Sequence, residues 1–142
     1  MVAAGFFVFS EKGSISEEEF STGVVKVNGR ELKVKIADNE RKREEGLQNV
    51  PSLDGYDGML FVFEKSAPVS FWNKNTFLNL DIIWIENNKI IGISYLPKIG
   101  TDGIRIVDSP GPVGAVLEIP SGNIDSLSEL VGASVSSPRG LK

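Results

Sequence analysis

The sequence contains neither cysteine nor histidine. The first absence excludes disulfides and thiol nucleophiles. The two together exclude a Cys/His zinc site, a Ser-His-Asp triad and imidazole acid-base chemistry. Positive charge is also scarce. There are 15 Lys and Arg against 19 Asp and Glu, a formal charge of −4, so the chain lacks the basic footprint of a general nucleic-acid binder. Internal repeats and low-complexity tracts are missing as well. Chemistry, if there is any, is left to carboxylates, Lys, Arg, Tyr, hydroxyls or an oxygen-ligated cation, and no residue pattern calls for a cofactor or a metal. The segment Asp54-Gly55-Tyr56-Asp57-Gly58 resembles a calcium loop only faintly. Tyr56 stands where an oxygen ligand belongs, so a turn is expected there.

What is present is 142 residues, 41% apolar and 24% charged, the profile of one globular domain. Behind Met1 runs an apolar stretch, Val2-Ala3-Ala4-Gly5-Phe6-Phe7-Val8-Phe9, far short of the roughly 20 residues that cross a bilayer. It reads either as a native strand or tail, or as the remnant of a signal or anchor helix, and the remnant is the expectation adopted. A polar spacer with three consecutive Glu follows. The boundaries expected are residues 1–22 for remnant and spacer, 23–137 for the folded domain and 138–142 for a tail.

From Gly23 the pattern alternates with period two. Val24-Val25-Lys26-Val27, Asn28-Gly29 and Leu32-Lys33-Val34-Lys35-Ile36 predict a hairpin, because both turn residues tolerate positive φ. Leu32, Val34 and Ile36 should face the core. Asp38 is expected to cap a short surface helix ending at Gly46. Met59-Leu60-Phe61-Val62-Phe63 is apolar on both faces and predicts a strand buried on both sides. Further strands are expected at 69–73, 82–86, 89–95, 104–107, 115–119 and 133–137, with a second short helix at 124–130. About seven or eight short strands and two short helices predict a mainly-β, single-domain sandwich or barrel.

Arg43-Glu44-Glu45-Gly46-Leu47, Gly58-Met59-Leu60-Phe61-Val62-Phe63, Phe71-Trp72-Asn73-Lys74-Asn75-Thr76 with Leu80-Asp81, and Val116-Leu117-Glu118-Ile119-Pro120-Ser121-Gly122 occur in a characteristic order. In this they resemble the DUF192 (UPF0127) family of uncharacterised bacterial and archaeal proteins, over roughly residues 32–135. The resemblance implies a mainly-β fold and, because the family usually carries an N-terminal signal or anchor, an extracytoplasmic location. Gln48 and Asn73 stand where the family usually has Met, and Val50 where it usually has Arg. If those residues shape a family pocket, the pocket here is more polar and less basic.

Lys74, Asn75, Thr76 and Asp81 form the densest polar cluster. Such a set can hold a small anionic or hydroxylated ligand, or it can simply build a turn whose Asp81 pairs with Lys74 or Arg43. Trp72 and Trp84 could stack a ring, or anchor the core. Glu118 is the one charge in an apolar strand. Facing inward it needs a partner or a raised pKa; facing outward it is merely solvated. Asp81 with Glu118 could also form an acid-base pair. The reading adopted is an extracytoplasmic, membrane-anchored or secreted binding or accessory module. Its pocket is edged by Arg43, Trp72, Lys74, Asn75, Asp81 and Glu118, and its partner is a small molecule or an envelope protein. Contact with a membrane is expected only through the anchor. A hydrolase using the carboxylate pair, or an interaction domain without a small-molecule site, are the alternatives.

Overall fold

A computed structural model describes residues 20–137. The expectations for residues 2–9 and for the tail at 138–142 lie outside the described residues. The predicted hairpin is formed by β1 (Ser21–Val27) and β2 (Arg30–Ala37). Val27 pairs with Arg30 across Asn28 and Gly29, whose φ angles are 49° and 82°. Two left-handed residues make the turn whose twist matches the adjoining strands. Leu32, Val34 and Ile36 are buried, while Lys33 is exposed and Lys35 half-buried.

Helix α1 (Glu40–Glu45) buries none of its residues, as a segment without an apolar stripe must. Its cap is Asn39 rather than Asp38: the Asn39 Oδ1 accepts from the Lys42 N–H at 2.8 Å. Asp38 sits one residue too early for that bond and faces the Lys42 ammonium at 3.6 Å instead.

There follow β3 (Gly58–Ala67), β4 (Ser70–Trp72), β5 (Leu80–Glu86), β6 (Lys89–Leu96), β7 (Ile106–Asp108), β8 (Val113–Pro120) and β9 (Val135–Ser136). Among the described residues, seven strands share one sheet in the order β6-β5-β8-β3-β2-β1-β9, and β4 pairs with β7 in a second, two-stranded sheet. The fold is mainly β. The large sheet curls into a half-barrel rather than a sandwich, and Ser134, just before β9, makes an isolated bridge to Lys89 of β6. The second helix expected at 124–130 is only a 3-10 turn, Leu127–Leu130. Ser126 before it is left-handed and gives no side-chain cap, so an α-helical start is missing. No helix among the described residues is long and apolar enough to cross a membrane.

The sheet is buried on both faces where β3 and β8 run through its middle. Leu32, Val34, Ile36, Leu60, Ile83, Leu117 and Ile119 pack on one face with Ile124 and Leu127. Met59, Phe61, Ile82, Trp84 and Val116 pack on the other. There they are covered by Leu47 and Leu53 from the segment after α1, and by Phe71. That segment is tied to β2 by Asp57, which accepts from the Lys33 N–H through its carboxylate and donates its own N–H to the Lys33 carbonyl, both at 2.7 Å.

Candidate functional site

Strand register sets one row of side chains across the covered face. Thr22 on β1 is opposite Lys35 on β2, Lys35 is opposite Met59 on β3, and Met59 is opposite Glu118 on β8. Glu118 in turn is opposite Ile82 on β5. Directly paired residues share a face of a sheet, so the row runs from a solvent-exposed threonine inward to a carboxyl in the core.

The outer part of this row lies under a cleft of about 860 Å³ lined by Phe20, Thr22, Lys35, Arg41, Glu45, Leu47, Val50, Tyr56 and Met59. Leu47 and Met59 are buried and form its floor, and Lys35 and Arg41 are half-buried beside it. The Lys35 ammonium lies 5.4 Å from the centroid of the Tyr56 ring, close enough for a cation–π attraction. Two cations therefore face an apolar floor, against one carboxylate, Glu45. That combination suits a ligand with an apolar body and a negative end.

Glu118 follows Met59 in the row. It is fully buried, and among the described residues neither carboxyl oxygen has a hydrogen-bond partner. Burial pushes its pKa well above the usual 4.5, because the charged form has lost its water without gaining a countercharge. An unpaired buried polar group costs about 1–3 kcal/mol. Around it the backbones crowd closely. A Cβ added at Gly58 would run into the Glu118 carbonyl oxygen and come within 2.9 Å of the Ile119 side chain.

The six residues singled out from the sequence do not form one shared cluster. The Arg43 guanidinium donates to the Val62 carbonyl at 2.9 Å and lies 5.3 Å from the Phe63 ring centroid, so it anchors α1 to β3. Trp72 and Lys74 share a side, with the ammonium 5.4 Å from the indole centroid. Trp84 is buried elsewhere and donates its indole N–H to Ser94 at 2.9 Å, which leaves no paired tryptophan platform. Asn75 is left-handed, with φ 53°, and donates to the Gln48 side chain at 3.2 Å. Buried Thr76 donates to the Lys74 carbonyl at 3.2 Å. These are the bonds of a turn. Asp81 accepts from the Ser121 hydroxyl at 3.1 Å and from the Gly122 N–H at 3.3 Å, closing the exit of β8. Glu118 faces the opposite side of the sheet, so Asp81 and Glu118 do not converge as an acid-base pair. Among the described residues no group of three or more acidic side chains could hold a metal ion.

Asn73, noted from the sequence only as a departure from the family, is a buried latch. Its amide donates to the Pro97 carbonyl at 2.8 Å and accepts from the Arg105 N–H at 2.8 Å. The cleft residues Lys35 and Arg41 escaped sequence reasoning, while Val50 stood out there only as a departure from the family and Tyr56 only as part of a turn. Lys35 looks like any solvated residue of an alternating strand, and only its half-burial sets it apart from Lys33.

Comparison with known proteins adds the following. A family model described as DUF192, Uncharacterized ACR, COG1430, matches residues 23–137. A search of curated proteins finds no match. The fold is similar to the crystal structure of a Sinorhizobium meliloti protein described as a candidate transcription regulator. That likeness has a TM-score of 0.72 and 31% identity, and covers 86% of this chain and 98% of the other. It is also similar in fold to a protein of unknown function from Novosphingobium aromaticivorans. Here the TM-score is 0.69 and the identity 24%, with 96% of this chain and 97% of the other covered.

Proposed function

The chain belongs to the DUF192 family, and from that premise we propose that it is a binding or accessory module whose site is the cleft between α1 and strands β1–β3. The ligand is a small amphiphilic anion. One observation carries this reading: an apolar floor of Leu47 and Met59 lies beside Lys35 and Arg41 in a cleft of about 860 Å³, within the range of small-molecule sites. The apolar body meets the floor and the negative end meets the two cations.

The polar turn at Lys74, Asn75 and Thr76 is assigned to structure in this reading, because its side chains bond one another and the nearby backbone. The opposed faces of Asp81 and Glu118 give a carboxylate-pair hydrolase no support. The description of the Sinorhizobium protein is not carried over to this chain. The apolar residues 2–9 and the acidic spacer after them favour an extracytoplasmic, tethered setting, where the partner is a small molecule or an envelope protein.

Calorimetric titration tests the proposal with octanoate and octylamine as probes. Octanoate should bind and octylamine should bind at least tenfold more weakly. Reversing the two cations, Lys35→Glu with Arg41→Glu, should abolish the difference. Equal affinity for both probes, or no binding of octanoate, overturns it.

A further inference from the structure

Glu118 has no part in the cleft as it stands, yet it occupies the next place in the same row of side chains. Met59 alone stands between it and Lys35 in the register, and Met59 lines the cleft. The other direct cross-strand neighbour of Glu118 is Ile82, also buried and apolar. Polar groups left unpaired inside a folded chain are uncommon, and they concentrate where a site has a use for them. Methionine is the most adaptable side chain to have in between, since an unbranched thioether repacks with little strain.

We propose that Glu118 is the inner recognition group of the cleft: a ligand that pushes the Met59 side chain aside docks a carboxamide-type edge on the Glu118 carboxyl. The inference rests on the cleft reading above and names the ligand class for it. Burial favours the neutral form of the Glu118 carboxyl, and in that form it offers one O–H donor and one carbonyl acceptor side by side. A primary or cis amide presents the complement. The Glu118 O–H donates to the amide oxygen, and the amide N–H donates to the Glu118 carbonyl oxygen. A carboxylate at that end would be repelled from the apolar interior by its own desolvation cost, while the same carboxylate at the outer end meets Lys35 and Arg41. The ligand class is thus a medium-length chain or ring system with an anionic outer end and a neutral amide inner end. Lys35 and Glu118 are two strand spacings apart, about 10 Å, a span that a medium-chain diacid monoamide covers.

The test compares suberamate, the monoamide of an eight-carbon diacid, with octanoate, which has the same outer end and no amide. Suberamate should bind the wild-type protein at least tenfold more tightly than octanoate. Glu118→Leu should erase that advantage, whereas Glu118→Gln, which keeps a donor beside an acceptor, should retain most of it. In infrared spectra, the carbonyl band of the protonated Glu118 carboxyl should shift on adding suberamate and not on adding octanoate. Octanoate binding with no advantage for suberamate overturns the role of Glu118 and leaves the cleft standing. An advantage that persists in Glu118→Leu overturns it equally. Failure of octanoate to bind overturns the cleft itself, and the inference with it.

Discussion

Glu118 on β8 and Asp81 on β5 are neighbours in the sheet that face opposite sides of it. Asp81 is paired with Ile119, and Glu118 with Ile82. A single step of register therefore separates a carboxylate that caps a turn at the sheet's end from a carboxyl sealed in the core. The two acids that stood out in the sequence have nothing to do with each other chemically.

That independence is measurable. Asp81→Asn should cost under about 1 kcal/mol, since the group is partly solvated and holds one short turn. Combined with Glu118→Gln, its effect should add to within about 0.5 kcal/mol, as it does for uncoupled sites. Urea unfolding of the two single variants and the double variant checks this; a larger coupling energy would mean that the two carboxyls interact.

The buried carboxyl also predicts a pH dependence. Its folded pKa lies above the unfolded value of about 4.5. Between those two values the folded state holds a proton that the unfolded state has released, so ∂ΔG/∂pH is negative. The stability contribution is fully present below the unfolded pKa and declines as pH rises toward and through the folded one. Glu118→Gln, which cannot ionise, should be more stable than wild type at neutral pH and should lose this slope. Urea midpoints measured from pH 4.5 upward provide the comparison, and a wild-type slope surviving in Glu118→Gln would assign it to another group.

Two adjacent residues should behave oppositely on truncation. Asn73→Ala removes a buried side chain that bonds both the Pro97 carbonyl and the Arg105 N–H and should cost about 1–3 kcal/mol, at about 0.5–1.5 kcal/mol per lost hydrogen bond. Lys74→Ala should stay within about 1 kcal/mol and leave octanoate binding intact. Thermal unfolding separates the two, and loss of octanoate binding in Lys74→Ala would return the ligand site to the polar turn.

Much of the fold was readable because it depends on local pattern. The alternation of Leu32, Val34 and Ile36 and the Asn28-Gly29 turn dictate a hairpin from within their own residues. The doubly apolar run from Met59 to Phe63 dictates a central strand. Sandwich, barrel or half-barrel is decided instead by long-range pairing, such as the parallel register of Lys35 with Met59, which leaves no trace in local periodicity. The site was harder to read for the same reason. Glu118 was conspicuous as a charge in an apolar strand, but its facing depends on the register of two other strands. Lys35 was inconspicuous because only a distant segment, the one carrying Tyr56, converts a surface lysine into a cleft residue. Asp81 attracted attention by composition and proved to serve the Ser121-Gly122 turn, a partner forty residues away in the chain.

The most direct measurement is a backbone amide NMR titration of the protein with octanoate. Binding in the cleft predicts saturable shifts confined to Thr22, Lys35, Leu47, Val50, Tyr56 and Met59, with Trp72, Lys74, Asn75 and Thr76 unmoved. Shifts centred on the Trp72–Thr76 turn, or no saturable shift at the cleft residues, would contradict it.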